Sequence, residues 1–565
     1  MHDLVIRAAT IADGTGAPTR VGDVTVDEGR ISSVEDAGRA GAARREFDGD
    51  GLLLAPGWVD IHTHYDGQVT WDPMVSPSSW HGVTTVVMGN CGVGFAPVRP
   101  DSRDFLIELM ENVEDIPGTA LHEGIDWEWE SFPEYLDAIG RMPRAIDIAA
   151  QLPHAALRAY VMGERAHDEA NDSDIAAMAK LTEEALTAGA VGFTTSRTIL
   201  HRSRHGLVPG TTAPPEELLA IGDALGRAGR GVFQLVSDQA GSAEELGWLT
   251  EVARRSGCTV TYALAQTQWD PQGYRRALDE ATKSASDGLT IVPQVSVRPT
   301  GMLFGLQSSL HPFITHPTYR PLAALPLETR VAELRRPEVR AALLSEQAGT
   351  ANKIAVGLMS RWEQMFPLGD PPDYEPHPST SAAAVAERTG RRPEEVVLDW
   401  LLEREGKALL FAPLASYVDG NHDALREMMS HPRTVLGLSD GGAHCGLICD
   451  VSFPTYLLTH WVRDRSRGDR LPVELAVHLQ TGRTAATYGF DDRGTIEVGK
   501  RADLNLIDLD GLTLHEPEMI FDLPAAGRRL VQHVDGYKAT VVAGEVTFED
   551  GEATGARPGR LVRSR

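Results

Sequence analysis

Two histidines two residues apart, His62 and His64, close the apolar run in APGWVDIHTHYDG, residues 55–67. Residues i and i+2 of a strand point to one face, so both imidazoles can reach one centre. Imidazole nitrogen binds zinc well, and a zinc site needs three or four ligands. Alone, the pair describes equally well two partly exposed polar residues at a strand end. Two further predicted strand ends carry candidates for the missing ligands. TTVVMGNCG places Cys91 close to Gly89 and Gly92, which permit near approach of backbone, and TVLGLSDGGAH places Asp440 followed by His444. A lone buried cysteine is commonly inert packing, and Asp before glycine is a common turn. Three such features on three strand ends are nevertheless much less expected to coincide by chance, and they point His62, His64, Cys91 and Asp440 at one centre that could hold a metal.

Those side chains need a frame with several parallel strand ends at one mouth. Eight short apolar runs supply it: VDIH, TTVVMGNCG, AIDIAAQLPH, AVGFTTS, GVFQLVSD, TVTYALAQ, TIVPQVSV and TVLGLSDGG. Each reads as a strand buried on both faces, and helical patterns such as 215–229 and 243–257 lie between several of them. The expected fold is α/β, a (β/α)8 TIM-like barrel over residues 57–489, with a doubly wound open sheet as its rival. Residues 1–56 and 490–565 alternate polar and apolar positions between Asp-Gly and Glu-Gly turns. Together they are expected to form one small, discontinuous β-sandwich domain. From about 298 to 430 the chain is too long for a barrel connection, which predicts a folded insertion over the barrel mouth.

Composition narrows the function. Lys plus Arg number 53 against 80 Asp plus Glu, a formal net charge of −27, which disfavours nucleic acid and anionic membrane as partners. Four cysteines in 565 residues argue against a disulfide framework and fit a reducing compartment. The N-terminus lacks a signal-peptide layout and no window is apolar enough to span a membrane, so the expected location is cytoplasmic. Cys445 and Cys449, four apart, make at most half a zinc site and read as packing. Oligomeric state is left open, although a large acidic barrel is compatible with a homo-oligomer.

With PGWVDIHTHYDG, GVTTVVMGNCGVGFAP, GAVGFTTS, GLSDGGAH and RGTIEVGKRADLNLID in view, the chain resembles the amidohydrolase superfamily, within it the N-acyl-D-amino-acid deacylase (D-aminoacylase) family. The likeness runs over nearly the whole length and implies the same barrel and terminal sandwich. By resemblance His62 and His64 are first-strand metal ligands and Cys91 is the thiolate that takes a bridging place. Asp440 is the last-strand general base, which in the family also touches metal. His154, with Arg158 just beyond, matches a histidine near the third strand and is a candidate for the substrate side.

The family pattern then breaks. Its histidines on the fifth and sixth strands fall at Gln234 and at Leu264, or at Gln266 if the register slips. An amide oxygen is a poorer zinc ligand than imidazole, so one zinc or other divalent ion is expected rather than two. Replacement ligands from His201 and His205, or a catalytically silent binding barrel, are the competing readings. The favoured function is hydrolysis of a C–N bond in a small-molecule amide, an N-acyl-D-amino acid by resemblance. A cyclic amide or a non-hydrolytic reaction is the alternative. A substrate carboxylate would need a cation, for which Arg197 and Arg298 stand at suitable strand ends. Gln234 and His444 complete the substrate-side candidates, and the insertion (LHPFITHPTYR, SRWEQMF) is expected to act as a lid that sets acyl-group choice.

Overall fold

The computed structural model describes residues 1–350 and 353–564; residues 351–352 and 565, in the expected insertion and the C-terminal segment, lie outside the described residues. All eight apolar runs contain strands: β1 (Trp58–Asp60), β2 (Val83–Met88), β3 (Asp147–Ala150, resuming at Leu152–Pro153), β4 (Gly192–Arg197), β5 (Val232–Ser237), β6 (Thr259–Leu264), β7 (Ile291–Val295) and β8 (Val435–Leu436). They pair in parallel and in chain order, β1 with β2, β2 with β3, and so on to β7 with β8. Gln151 carries β3 between its two halves, its N–H donating to the Met88 carbonyl at 3.0 Å. A parallel bridge from Thr63 to Gly441 then joins the extension of β1 to that of β8.

These strands are buried on both faces, as β2 shows: all six residues of VTTVVM are buried. The connecting helices carry their own start and stop signals. In Ala243–Ser256 the Ser242 hydroxyl accepts from the Glu245 N–H, and Gly257 ends the helix at φ 68°. That helix and Pro215–Ala228 match the periodicity of the sequence to within a residue.

The two termini share one nine-stranded sheet. Its seam is the antiparallel pairing of Leu53–Pro56 with Leu504–Ile507, and Leu4, Ile6, Val24, Leu54, Leu504 and Val541 fill its core. The C-terminal segment does not stay in that sheet. The hairpin of Glu518–Leu523 and Gly527–Val531 reaches the mouth of the parallel strands, where the Leu530 N–H donates to the Cys445 carbonyl at 2.6 Å. Further on, Arg560 and Val562 hydrogen-bond to Ile148 of β3.

The insertion folds around a second apolar cluster that includes Met302, Phe304, Leu334, Val397, Leu398 and Leu410. An antiparallel sheet of Gly301–Phe304, Phe366–Pro367 and Leu410–Pro413 backs it. Its end lies earlier than expected. Helix Asp423–Ser430 buries Ala424, Leu425, Met428 and Met429 in the main core, and is therefore the helix that precedes β8.

Candidate active site

The chain beyond β1 remains extended through His62–Thr63–His64 because it is hydrogen-bonded on both sides. The Thr63 N–H reaches the Val87 carbonyl at 3.0 Å, the His64 N–H reaches the Gly441 carbonyl at 2.8 Å, and the Asp440 N–H reaches the His62 carbonyl at 3.1 Å. Both imidazoles are buried, with ring centroids 5.7 Å apart. His62 Nδ1–H donates to Gln294 Oε1 on β7 at 2.8 Å, which leaves the Nε2 lone pair facing the centre. Among the described residues both nitrogens of His64 lack a hydrogen-bond partner despite burial. Burial disfavours its charged form, but the charges of Glu114 and Asp440 outweigh this and hold its pKa well above the ordinary histidine value.

Cys91 enters from the turn after β2 in a left-handed conformation, φ 56°, between Gly89 at φ 84° and Gly92 at φ 71°. A Cβ on Gly89 would collide with the Gln151 carbonyl oxygen, and one on Gly92 would lie 3.0 Å from the Ser196 N. These glycines let the turn press against β3 and β4 and bring the Cys91 Sγ to 3.4 Å from His62 Nε2. Burial pushes the Cys91 thiol up to about 12, so in the protein alone it is protonated. Asp440, after β8, has φ 50°, with Leu438 at 63° and His444 at 52°, a concentration of strained backbone at the mouth. Its Oδ1 lies 3.3 Å from His62 Nε2 and 3.6 Å from His64 Nε2, and its Oδ2 lies 3.9 Å from His444 Nε2. Burial alone would raise its pKa. The adjacent His64, with the charges of His62 and His444, outweighs that and holds the carboxyl well below the usual range.

The donor atoms of His62, His64 and Cys91 all lie within 4.8 Å of one another. Two imidazoles, a thiol and an adjacent carboxylate form a donor set suited to zinc, and the orphaned nitrogens of His64 are buried polar groups in want of a partner. The residues present therefore fit a zinc ion.

Two contributors were not foreseen. Gln294 is a polar residue in an otherwise apolar strand, IVPQVSV, and that mismatch was the available signal. Glu114 ends helix α1 (Arg103–Glu114) in the chain between β2 and β3, is 1% exposed, and lies 3.4 Å from His64 Nδ1. Only an acid at a helix C-terminus, where the dipole disfavours it, hinted at a special role.

Several expected residues are engaged elsewhere. His154 Nδ1 meets Thr195 Oγ1 at 2.8 Å and its Nε2 meets Glu217 at 2.7 Å, while Arg158 pairs with the same Glu217. The His154–Arg158 pair thus ties two helices together instead of facing substrate. Arg197 donates to Glu245 at 3.0 Å and to the Ala213 carbonyl at 2.6 Å, lying over Trp248. Arg298, fully buried, binds Asp450 and Ser452 and stacks 3.6 Å from the Tyr374 centroid. Neither guanidinium is free for a carboxylate, which corrects that expectation.

Gln234 is buried on β5 with both side-chain polar atoms unpartnered, Leu264 is core, and Gln266 donates to Asp419 at 2.8 Å. His201 Nδ1 meets Ser196 Oγ at 2.8 Å; burial and the neighbouring His444 and His64 push its pKa down to about 3. His205 is exposed and turns to Glu108. A second cluster, Glu375, His422 and His460, also brings donor atoms together. There Arg465 holds Glu375 through both carboxylate oxygens, so the cluster reads as a pin between the insertion and the helix bearing His460.

A histidine pair beyond the first parallel strand and an aspartate beyond the last thus meet at one buried centre. The amidohydrolase family profile matches residues 45–548, and the chain belongs to that family. It is accordingly a hydrolase acting on C–N bonds other than peptide bonds, on the D-aminoacylase-like side of the family. An N-acyl-D-aspartate deacylase of Alcaligenes xylosoxydans xylosoxydans is 28% identical over 567 residues, 99% of this chain and 95% of that protein. A D-aminoacylase of the same organism is 27% identical, covering 99% and 97%. A solved N-acyl-D-glutamate deacylase of Bordetella bronchiseptica, complexed with zinc and a phosphonate inhibitor, superposes with TM-score 0.66 at 22% identity, covering 100% of this chain and 99% of its own. Among the described residues no helix is long and apolar enough to cross a membrane.

Proposed function

We propose that this protein is a zinc-dependent hydrolase of a small N-acyl amide, with His62, His64, Cys91 and Asp440 as the metal-holding set and Asp440 as the general base. The observation that carries the reading is Asp440 Oδ1, 3.3 and 3.6 Å from the Nε2 atoms of the two histidines. The eight strands are read as a closed (β/α)8 barrel, supported by the Thr63–Gly441 bridge, and the terminal sheet as its small companion domain.

A zinc ion bound there would polarise the scissile carbonyl and make a water a better nucleophile. The chain's own residues supply the rest. Gln294 fixes the His62 tautomer with Nε2 facing inward. Asp440 is ionised at neutral pH, accepts the proton of the attacking water, and delivers it to the departing amine nitrogen. His444, beside Asp440 Oδ2, is placed to meet the substrate.

One ion is proposed. Gln234 offers only an amide, and Leu264 offers nothing, where the deacylase pattern has histidines. The relatives favour an N-acyl-D-amino acid as substrate. A second reading, an amide without a free carboxylate, is favoured by the engagement of Arg197 with Glu245 and of Arg298 with Asp450. Metal analysis should give about one zinc per chain, lost in the His62→Ala, His64→Ala variant. Asp440→Asn should keep much of the metal yet lose about 100-fold or more in kcat, as loss of a general base does. Full turnover by Asp440→Asn would end the assignment. N-acyl-D-amino acids, their carboxamides and cyclic amides assayed side by side separate the two substrate readings.

A further inference from the structure

Resting on the metal site read above, we infer that Glu114 is a positioning residue, one carboxylate that bridges His64 and His444 and so couples a metal ligand to the substrate side of the site. Its Oε1 lies 3.4 Å from His64 Nδ1 and its Oε2 lies 3.6 Å from His444 Nε2. The carboxylate is buried and neither oxygen has a hydrogen-bond partner among the described residues, which leaves the two imidazoles as its nearest cationic neighbours. A carboxylate removed from water is costly unless paired, and imidazole N–H groups are the available partners.

The placement is built, not incidental. Helix α1 stops at Glu114 because Asp115 turns left-handed, φ 51°. The Glu114 carbonyl then accepts the His444 N–H, and the Asp115 carboxylate accepts the Gly446 N–H at 3.0 Å and the Ser309 hydroxyl. The end of α1 is thereby fastened to the turn that carries His444.

The two ligand histidines are treated unequally. His62 Nδ1 has the neutral amide of Gln294, whereas His64 Nδ1 faces a carboxylate. A carboxylate behind a ligand imidazole fixes its tautomer and raises its basicity, and loss of such a partner typically weakens metal binding about 10- to 100-fold. Glu114 thus strengthens His64 as a ligand while its second oxygen holds His444 beside Asp440 Oδ2.

The test measures zinc affinity by chelator competition in the full-length chain, with the visible spectrum of the cobalt(II)-substituted protein as a second readout. Glu114→Gln, which keeps shape and removes charge, should weaken zinc binding about 10- to 100-fold and shift the cobalt bands. The metal-free variant should melt somewhat lower than the metal-free wild type, because buried His64 loses its charged partner, so zinc affinity is read on the folded protein. Glu114→Asp, shorter by one methylene, should fall between the two and serves if the first variant does not fold. Affinity within twofold of wild type with unchanged cobalt bands would overturn the role of Glu114 alone. Wild-type protein whose zinc is indifferent to His62→Ala would overturn the reading of the site, and the inference with it.

Discussion

At the scale of single residues, the site depends on how each donor is held. His62 can offer Nε2 only because Gln294 Oε1 takes its Nδ1–H. Gln294→Leu should therefore weaken zinc binding about 10- to 100-fold with little change in fold, measured by chelator competition and circular dichroism. Gln234 tests the opposite direction. Its amide is buried with no hydrogen-bond partner among the described residues, so Gln234→His places an imidazole on β5 where the deacylase pattern has one. That variant should bind zinc more tightly than wild type, or take up a second ion, in the same titration. That His62, His64, Cys91 and Asp440 converge on one centre was legible from spacing, since each follows a strand end. The arginines were not, because position along a strand does not reveal which carboxylate a long side chain meets. Glu245 and Asp450 decided that, and both are far from their partners in sequence.

Elements carry those donors, and two features of their packing can be tested. The turn 89–92 fits against β3 only because Gly89 has no side chain. Gly89→Ala should displace Cys91, destabilise the fold by about 1–3 kcal/mol for the strained left-handed residue, and reduce metal content, read by thermal melting and metal analysis. The second feature joins helix His154–Met162 to helix Pro215–Ala228 through Glu217. Burial raises its pKa, but the hydrogen bonds and charges of His154 and Arg158 outweigh it and bring it from 4.5 down to about 2. A depressed carboxyl pKa contributes stability above its unfolded value, lost as pH falls toward the folded one. This contact should hence contribute about 3 kcal/mol at neutral pH and fade between about pH 4.5 and pH 2. Denaturant melts across that range should show a shallower acid slope for Glu217→Gln. The same variant should be less stable at pH 7, because Arg158 loses its partner. Strand and helix identities were legible here from apolar runs and periodicity, whereas the end of the insertion was not. Helix Asp423–Ser430 looks like its predecessors in the sequence, and only the core it enters distinguishes it.

At the scale of the whole molecule, a bound ion and the fold should be linked. If His62, His64, Cys91 and Asp440 hold zinc in the folded chain, its removal should lower the melting temperature, and zinc should restore it. The His62→Ala, His64→Ala variant should melt at one temperature with or without chelator. The terminal sheet and the eight parallel strands followed from sequence texture. The wandering of the C-terminal segment did not, because pairing of Arg560 and Val562 with Ile148 leaves no local mark. One consequence concerns the chain while it is still being made. Leu53–Pro56 has to wait for Leu504–Ile507, and the residues around His62 wait for Asp440 and Gly441. A ribosome delivers those partners several hundred residues later. Until then His62, His64 and Cys91 sit on a nascent chain whose first sheet lacks its central seam. Order of synthesis and order of assembly run in opposite senses here, and a chain cut short before Asp440 would carry His62, His64 and Cys91 without the strand that brings them to one centre.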